Sequence, residues 1–453
     1  MKTFRQNLSK ILSYPSVIIG IAIILGLVGL AIYAMATIPY EKAIELWRGS
    51  EADWYRNPKN AQPVWMNFFL KKKLPVSFSL DSAGGSTGVV SGSASKTSVP
   101  GSNGAVTNLL FSFDYGYDDF PQEMMLYFNA TYAEKKPLVS MHWKTPDGRR
   151  IRIDNLTLEP LTTYRFSQDG RLMTRLGEVS PEKGLFANPK SEEPAPLKGN
   201  YQLEVKISTF EADANVQAEF ILQGKVAGLA GTDHMRRDLM VALLWGAPVA
   251  LAFGLIASVG VTVLTLIISA VGSWYGGWID ELIQRVTEVN LVLPFISVLV
   301  LVGTFYSKSI WLILGITILL SIFSGSIKSY RAIFMQVKES PYIEAARSYG
   351  ASSRRIIFRY LVPPMIPLLI PGLVLSIPAF VFLEASLAVL GLGDPSLPTW
   401  GKIIYDAQVN AAPYQGYYYW ILEPAALLMV TGLAFALLGF ALDRIFNPKL
   451  RGM

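Results

Sequence analysis

The sequence contains no cysteine and only two histidines, His142 and His234. The absence of cysteine excludes disulfide bonds, thiolate metal sites and thiol nucleophiles together. Two histidines are too few for a multi-histidine centre, so we expect no metal site. The sequence also lacks a G-x-x-x-x-G-K-[ST] motif, which excludes ATP binding in a P-loop of this chain. Carboxylate pairs such as Asp118–Asp119 and Asp280–Glu281 have no histidine or metal context, and we expect them on solvated faces.

Apolar residues are abundant and make up 51% of the 453-residue chain. This share is too high for an ordinary soluble protein, and the length allows a membrane domain plus one soluble domain of about 100–200 residues. The formal net charge of +6 needs no nucleic-acid partner, because an excess of Lys and Arg in short cytoplasmic loops is usual in membrane proteins. We therefore expect a membrane protein that does not bind nucleic acid.

Six apolar runs are candidate membrane spans. Five of them are 16–38, 291–306, 310–327, roughly 362–389 and roughly 419–441. The remaining run, 239–279, carries no charge and exceeds one span, so we expect one long helix and an interfacial turn around G-S-W-Y-G-G. The first run is longer than a normal signal-peptide core, and its A-M-A sequence is a weak cleavage site. We therefore interpret it as a retained anchor.

Six spans place both termini on the same side of the membrane, and the charges of the short loops indicate which side. Basic residues concentrate in the N-terminal tail, the 272–288 loop, the 328–361 loop and the C-terminal tail. The opposite short loops carry Lys308 and Lys402, and three more basic residues precede the second span. The positive-inside rule therefore predicts a multi-pass protein of the cell membrane with both termini and residues 328–361 in the cytoplasm.

Residues 39–230 differ in kind, because short runs in this region alternate polar and apolar residues as strands do. Examples are the runs 108–117, 123–132, 201–210 and 215–224. Their spacing predicts an extracytoplasmic antiparallel β-sandwich between the first two spans. The Gly/Ser-rich stretch 84–104 is expected to be a mobile loop. The predicted fold class is therefore mainly α: a polytopic membrane protein of six transmembrane helices with an inserted extracytoplasmic β-sandwich-like domain.

A basic segment, residues 340–361, interrupts the apolar runs of the C-terminal half. The pair Ser340–Pro341 is a good helix start, and Gly350 can serve as a left-handed C-cap. Ser352 or Ser353 can cap a second helix. The pattern predicts two short helices joined at a tight glycine bend on the membrane face. Spacing alone leaves two interpretations open: an element that pushes on a protein partner, or an amphipathic loop that its arginines anchor to anionic lipid.

The same segment resembles the EAA loop of ABC-importer permeases, which reads E-A-A-x-x-x-G followed by nine residues and I-x-L-P. The matching positions are Glu344, Ala345, Ala346, Gly350 and Pro363. Tyr360 and Val362 stand where the family usually has isoleucine and leucine. The resemblance implies a coupling helix seated in a cleft of a separate ATPase subunit. The implied ATPase-coupling residues are Glu344, Ala345, Ala346, Gly350, Ala351 and Ser352.

Other segments narrow the resemblance to the C-type subunit of the dipeptide/oligopeptide (nickel) permease family. Residues 231–257 resemble the family's G-T-D-x-x-G-R-D block, with Arg236 at the usual glycine. The segments 275–295, 383–407 and 423–452 also fit. We therefore divide the chain into a tail with the first transmembrane helix (1–38), the β-rich domain (39–230) and a permease core of five transmembrane helices (231–453). The β-rich domain has no counterpart in the usual members.

Two residues in or near the fifth span are candidates for the translocation path. Glu384 lies within the span, where an ionised carboxylate is costly unless it is paired or hydrated. It is either a path or gate residue or a structural carboxylate bonded to a neighbouring helix. Trp400 closes the Gly/Pro-broken segment G-L-G-D-P-S-L-P-T-W, which we expect near the outer mouth. It is either a gate residue or an interfacial anchor.

The resemblance implies a non-enzymatic permease subunit that imports dipeptides or oligopeptides by alternating access. The implied partners are a B-type permease subunit in a heterodimer, two ATPase subunits or domains, an extracellular solute-binding protein and membrane lipid. This chain would bind no cofactor, and ATP with Mg²⁺ would bind to the ATPase partners. The alternatives are a permease for oligosaccharides or nickel and a membrane sensor whose β-domain binds a ligand. The inserted domain is either a docking or lid module for the binding protein or a protective insertion.

Overall fold

A computed structural model describes residues 15–50, 53–83, 86–87, 92–101, 104–191 and 193–446. The chain divides into two compact units, one of residues 1–48 with 241–453 and one of residues 49–240. We call them the helical unit and the β unit. The compact units divide at 48/49 and 240/241, ten residues after the boundaries predicted from the sequence. At the first boundary, the ring of Tyr40 packs on Trp245 of the helical unit with their centroids 5.6 Å apart. The predicted N-terminal tail, 1–14, lies outside the described residues.

The helical unit contains twelve α-helices in the part that the structure describes. They are α1 (Pro15–Thr37), α2 (Tyr40–Arg48), α3 (Leu239–Tyr275), α4 (Gly277–Val292), α5 (Phe295–Phe305), α6 (Ile310–Ile322), α7 (Gly325–Lys338), α8 (Pro341–Ser348), α9 (Ser353–Ile356), α10 (Ile366–Leu387), α11 (Trp400–Val409) and α12 (Tyr419–Phe446). Short π-helical and 3-10 segments continue α9 into α10 and extend α10 to Leu392. The unit is thus mainly helical, as predicted.

Four helical segments are long and apolar enough to cross a membrane. They are Pro15–Thr37, Leu239–Tyr275, Ser353–Leu392 and Tyr419–Arg444. Two bent pairs pass the same test together: α4 with α5, bent by 81°, and α6 with α7, bent by 46°. The described part of the chain therefore has four candidate spans, or six if each bent pair is one span.

The bends occur where the sequence weakens the helical backbone. Leu293 is extended, with ψ 131°, because Pro294 disfavours helical geometry in the residue before it. The predicted span 291–306 therefore becomes helical again only at Phe295. A second predicted feature, the turn after the long charge-free helix, lies at Gly276, whose φ of +65° is accessible to glycine at little cost.

The predicted span 310–327 is also interrupted, because α6 ends at Ile322. The side chain of Asn290, on α4, donates hydrogen bonds from Nδ2 to the carbonyls of Leu320 and Phe323 at 2.8 Å each. These bonds satisfy carbonyl groups that the end of α6 leaves without helical partners. A polar side chain thus stabilises the break between α6 and α7.

The β unit contains ten strands among its described residues. They are β1 (Phe78–Asp81), β2 (Ser86–Thr87), β3 (Gly92–Gly101), β4 (Gly104–Tyr115), β5 (Glu123–Thr131), β6 (Leu138–Lys144), β7 (Arg150–Thr157), β8 (Leu161–Arg165), β9 (Gly199–Ser208) and β10 (Asn215–Gln223). They form two antiparallel five-stranded sheets with the orders β2-β1-β10-β5-β8 and β3-β4-β9-β6-β7.

Side chains of both sheets share one apolar core. Along β4 every second residue is buried from Leu109 to Tyr115, which is the period of a strand with one buried face. The ring of Phe113 on β4 lies 5.1 Å from Phe78 and 5.6 Å from Phe220, which belong to the other sheet. The predicted β-rich domain is therefore present.

The expectation of a mobile loop at 84–104 is corrected for residues 92–101. Residues 92–101 form β3, which pairs with β4 in continuous antiparallel register from Gly92↔Phe113 to Gly101↔Gly104. Backbone hydrogen bonds hold an edge strand without requiring apolar side chains, so Ser and Thr suffice there. Residues 84–85, 88–91 and 102–103 of that predicted loop lie outside the described residues.

Candidate functional site

The basic segment forms the two predicted short helices, α8 and α9. Helix α8 begins at Pro341 after an extended N-cap, Ser340. The chain then turns at Gly350, whose φ is +75°. The hydroxyl of Ser352 accepts a hydrogen bond from the backbone N–H of Arg355 at 3.4 Å and caps α9. Local sequence therefore determines this helix–bend–helix element, residues 340–361, which we call the basic element.

One face of the basic element is fixed to the helical unit. Ile343 and Ala346 of α8 are buried, at the i, i+3 spacing of one helix face. They belong to one apolar cluster with residues of α3, α7 and the start of the fifth predicted span. Its other buried members are Leu266, Ala270, Trp274, Phe334, Ile356, Ile357, Leu361, Met365 and Leu369. The basic element is thus a packed part of the unit.

The opposite face of α8 is exposed. Glu344 and Ala345 are exposed, and so are Gly350 and Ser352, whereas Ala351 is half-buried. Tyr349, at the end of α8, is 92% exposed. A large aromatic ring next to a fixed bend, on an otherwise polar surface, is typical of a protein contact. Of the predicted coupling residues, Ala346 is buried in the unit, and the half-buried Ala351 packs against the same apolar cluster.

Two cations connect this region to the end of α3. The guanidinium carbon of Arg347 lies 4.4 Å from the centroid of the Trp274 ring. Lys338 donates hydrogen bonds from Nζ to the carbonyls of Ser273 and Trp274 at 3.0 and 3.1 Å. These carbonyls are among the last of α3, which have no partner within the helix, and a cation is favourable there. A displacement of α8 would therefore change the contacts at the C-terminal end of α3.

An ion pair that sequence reasoning missed joins α4 to α7. Arg331 donates from Nε to Oδ1 and Oδ2 of Asp280 at 2.7 and 2.9 Å, and Asp280 is buried. The expectation of a solvated Asp280–Glu281 face is therefore wrong for Asp280. Its partner is 51 residues away in sequence, so neither charge alone could indicate the pair.

A polar cavity of about 640 Å³ lies within the helical unit. Its polar lining consists of hydroxyl and amide side chains without formal charge: Thr262, Thr265, Asn290, Ser321, Ser324, Ser326, Tyr330 and Ser376. Apolar side chains, including Phe295 and Phe380, provide the larger part of the wall surface, and the name polar cavity refers to the uncharged polar groups set into it. Such a cavity can accommodate a solute that offers both apolar surface and hydrogen-bonding groups.

Sequence reasoning missed the cavity, although α3 carries a signal for it. Serine and threonine recur on one face of this apolar helix, at positions 258, 262, 265, 269 and 273. The hydroxyl of Ser258 contacts that of Ser376 at 2.6 Å, and Thr265 donates to the carbonyl of Ile322 at 3.1 Å. Small hydroxylated residues at helical spacing are typical of helix–helix contacts in membranes.

Helix α10, which forms the fifth predicted span, is 22 residues or about 33 Å long. Glu384 lies near its C-terminal end, far from the basic element in sequence, and Trp400 is the first residue of α11. Glu384 is buried close to the hydroxyl of Thr399. The same hydroxyl accepts from the backbone N–H of Lys402 at 3.2 Å and caps α11. Among the described residues that line the polar cavity, neither Glu384 nor Trp400 is present.

Trp400 connects α11 to α3. Its Nε1 donates to the carbonyl of Leu243 at 2.9 Å, and its ring packs on Gly246, where a Cβ would come within 2.2 Å of the indole. Gly401 approaches α10 equally closely, because a Cβ there would lie 2.6 Å from the Cα of Ala385. The structure therefore brings the two predicted path residues together in a tight contact among α3, α10 and α11.

Comparisons with known proteins concern mainly the helical unit. Residues 262–452 match the family described as binding-protein-dependent transport system inner membrane component. The chain is 28% identical to the oligopeptide transport system permease protein OppC of Bacillus subtilis over 223 residues, 49% of this chain and 72% of the relative. It is 29% identical to the dipeptide transport system permease protein DppC of the same organism over 222 residues, 49% of this chain and 68% of the relative. It is 28% identical to the glutathione transport system permease protein GsiD of Pectobacterium atrosepticum over 226 residues, 49% of this chain and 72% of the relative.

Proposed function

We propose a transport mechanism from the premise that this chain belongs to the inner-membrane components of binding-protein-dependent transport systems and is a permease subunit of a peptide ABC importer. In this mechanism the helical unit alternates between outward- and inward-open states as partner ATPases bind and hydrolyse ATP. The observation that carries the proposal is the basic element, which is packed on the helical unit by one face and exposed on the other.

We propose that both termini are cytoplasmic, that each bent helix pair is one span and that the protein has six spans. The concentration of basic residues in the two tails and in the loops 272–288 and 328–361 supports this orientation. The β unit would then be extracytoplasmic. The side-chain contacts between its two sheets support a β-sandwich.

The coupling residues are proposed to be those of α8 and of the bend that follows it, most of them exposed and two of them, Ala346 and Ala351, packed on the helical unit. They are Glu344, Ala345, Ala346, Gly350, Ala351 and Ser352. A partner that pushes on the exposed face would transmit displacement through Arg347 and Trp274 to α3. The same helix contributes Thr262 and Thr265 of its hydroxyl stripe to the lining of the polar cavity. This continuity supports a mechanical connection between the ATPase contact and the solute path.

The proposed partners are a B-type permease subunit, two ATPase subunits or domains and an extracellular solute-binding protein. ATP and Mg²⁺ would bind to the ATPase partners, and this chain would contribute no catalytic residue. Surrounding lipid would contact the outward apolar faces of the candidate spans.

Dipeptides or oligopeptides are the proposed substrates. The uncharged hydroxyl and amide groups of the cavity support this choice, because they can bond peptide N–H and C=O groups without selecting one side-chain charge. For Glu384 and Trp400 we propose a gating role in which they control the contact of α10 and α11 and do not bind the solute.

The test is ATP hydrolysis by the complex purified with candidate ATPases and reconstituted in lipid. A saturated binding protein carrying a dipeptide or an oligopeptide should stimulate hydrolysis several-fold, whereas nickel or an oligosaccharide should not. If only binding protein that carries nickel or an oligosaccharide stimulates hydrolysis, the chain is a permease for that substrate class and the peptide proposal is wrong. Failure to copurify with any ATPase would instead favour the sensor alternative.

A further inference from the structure

A short loop of the β unit has a shape that is fixed at its base. Asn67 donates from Nδ2 to the carbonyl of Leu74 at 3.0 Å, and the N–H of Leu74 donates to Oδ1 of Asn67 at 3.0 Å. Lys73 adds a third bond, from Nζ to the carbonyl of Asn67 at 2.7 Å. The segment between these residues, F-F-L-K-K, therefore projects from a closed base.

The projecting loop carries large apolar side chains that are left in solvent. Phe68 and Phe69 are 83% and 81% exposed, and Leu229 on a neighbouring segment is 67% exposed. Trp65, 41% exposed, donates from Nε1 to the carbonyl of Leu229 at 2.9 Å. Its ring meets that of Phe69 edge to face, with centroids 6.2 Å apart. We call these four residues the aromatic tip.

Backbone pairing holds the two segments of the aromatic tip side by side. The N–H of Gln62 donates to the carbonyl of Lys225 at 2.9 Å, and the N–H of Val64 donates to the carbonyl of Gly228 at 3.0 Å. The tip is therefore a preformed surface. Leu229 also precedes the first residue of α3, a candidate membrane span, by only ten residues of sequence.

Lysines border the apolar side chains directly. Lys71 and Lys72 follow the tip and are exposed. Aromatic rings with adjacent flexible cations suit the headgroup region of a bilayer, where the rings sit at the interface and ammonium groups extend to phosphates. Lysine is depleted in protein–protein interfaces, which makes the same combination less suited to a protein partner.

We propose that the aromatic tip is a membrane-surface anchor of the β unit. Trp65, Phe68, Phe69 and Leu229 enter the interfacial layer of the leaflet that the β unit faces. Lys71 and Lys72 contact the phosphates of anionic lipids. The anchor restricts the orientation of the β unit on the membrane, and it requires no transport activity.

The test uses the full chain, which has no native cysteine. Phe68→Cys is spin-labelled in nanodiscs of phosphatidylcholine and phosphatidylglycerol at a ratio of 3:1. Leu161→Cys, at a site that is 79% exposed in the same unit, is the matched control. Relaxation by oxygen should exceed relaxation by a water-soluble nickel chelate at position 68, and the reverse should hold at position 161. Equal, water-like behaviour at both positions would overturn the proposal.

A second arm tests the lysines. With the label at position 68, Lys71→Glu/Lys72→Glu should reduce the oxygen preference at least twofold in the anionic nanodiscs. Lys135→Glu/Lys190→Glu changes the net charge by the same amount at other positions of the β unit and should have no effect on the oxygen preference. If the label becomes protected from the chelate only when binding protein or the second permease subunit is added, the tip is a protein interface and the lipid proposal is wrong. Neither arm involves peptide import, so the proposed function and the anchor can fail separately.

Discussion

The guanidinium group of Arg347 stacks on the indole of Trp274, 4.4 Å from its centroid, and so joins α8 to the end of α3. A cation–π contact of this kind contributes about 0.5–2 kcal/mol. Trp274 is also a buried member of the apolar cluster beneath α8. The contact is therefore where we expect force on the basic element to enter the membrane helices.

Trp274→Ala should reduce substrate-stimulated ATP hydrolysis about tenfold, because it removes the ring that Arg347 contacts and leaves a void under α8. Trp274→Phe retains an aromatic face, so stimulated ATP hydrolysis should fall at most about threefold. The measurement is stimulated hydrolysis in the reconstituted complex, with thermal stability in detergent as the control. Equal activity of the wild type and Trp274→Ala would exclude the proposed route through α3.

Gly350→Val should weaken coupling through backbone strain. The φ of +75° costs a non-glycine residue about 1–2 kcal/mol, and a Cβ at this position meets nothing within 4 Å in the chain itself. A cost of this size corresponds to about a 5–30-fold loss of the native bend. Gly350→Asn is the matched control, because asparagine tolerates left-handed geometry. If both variants lose transport equally, side-chain bulk at the ATPase contact matters and the bend does not.

Glu384→Gln tests whether the buried carboxylate acts through its charge or through packing. Glutamine has nearly the shape of glutamate and keeps a polar group beside the Thr399 hydroxyl, so at least half of the wild-type uptake should remain. Trp400→Ala should be far more damaging and cost about 3–5 kcal/mol of stability, because it empties the contact of α11 with Gly246. Uptake and thermal stability are measured together. Complete loss of uptake in a stable Glu384→Gln protein would show that the charge of Glu384 is required, and would contradict a gating role that acts through the contact of α10 and α11 alone.

The proposed orientation predicts opposite labelling of two exposed positions. Leu161, in the β unit, and Tyr349, in the basic element, are 79% and 92% exposed. Each is replaced by a single cysteine in a separate variant. In intact cells that lack the partner ATPases, an impermeant maleimide should label only the first. The second should react after the membrane is permeabilised. Labelling of both from outside would require a different topology.

Local signals determined the parts of the fold that could be predicted. Pro341 at the start of α8, the Ser352 cap and the glycine bend act within a few residues, so the sequence predicts α8 and α9 directly. The charge-free run before Gly276 likewise predicts one long helix and a turn. Alternating apolar residues in strands such as β4 predict the β unit.

What could not be predicted depends on partners distant in sequence. The strand β3 exists because β4 offers it an edge, which a Ser/Gly composition does not indicate. The Asp280–Arg331 pair and the bond of Asn290 to the end of α6 join residues more than 25 positions apart. The polar cavity needs several helices to form, so the hydroxyl stripe of α3 is visible in the sequence while its role is not.

The central claim is that α8 transmits ATPase movement to the solute path, and Glu344→Lys tests it most directly. Glu344 is exposed in the first turn of α8, where a carboxylate is favourable and a lysine is not. The alternative, a lipid-anchored loop, predicts tolerance of Glu344→Lys and sensitivity in Arg354, Arg355 and Arg359. These arginines provide the matched comparison, since neutralising them leaves Glu344 unchanged.

The decisive measurement is ATP-dependent uptake of a labelled oligopeptide by proteoliposomes that contain this chain, the proposed permease and ATPase partners and saturating amounts of the proposed binding protein. The proposed mechanism predicts uptake by the wild type, at least a tenfold loss in Glu344→Lys, and a smaller loss in Arg354→Gln/Arg355→Gln/Arg359→Gln. Wild-type uptake in Glu344→Lys, with loss confined to the arginine variant, would contradict it.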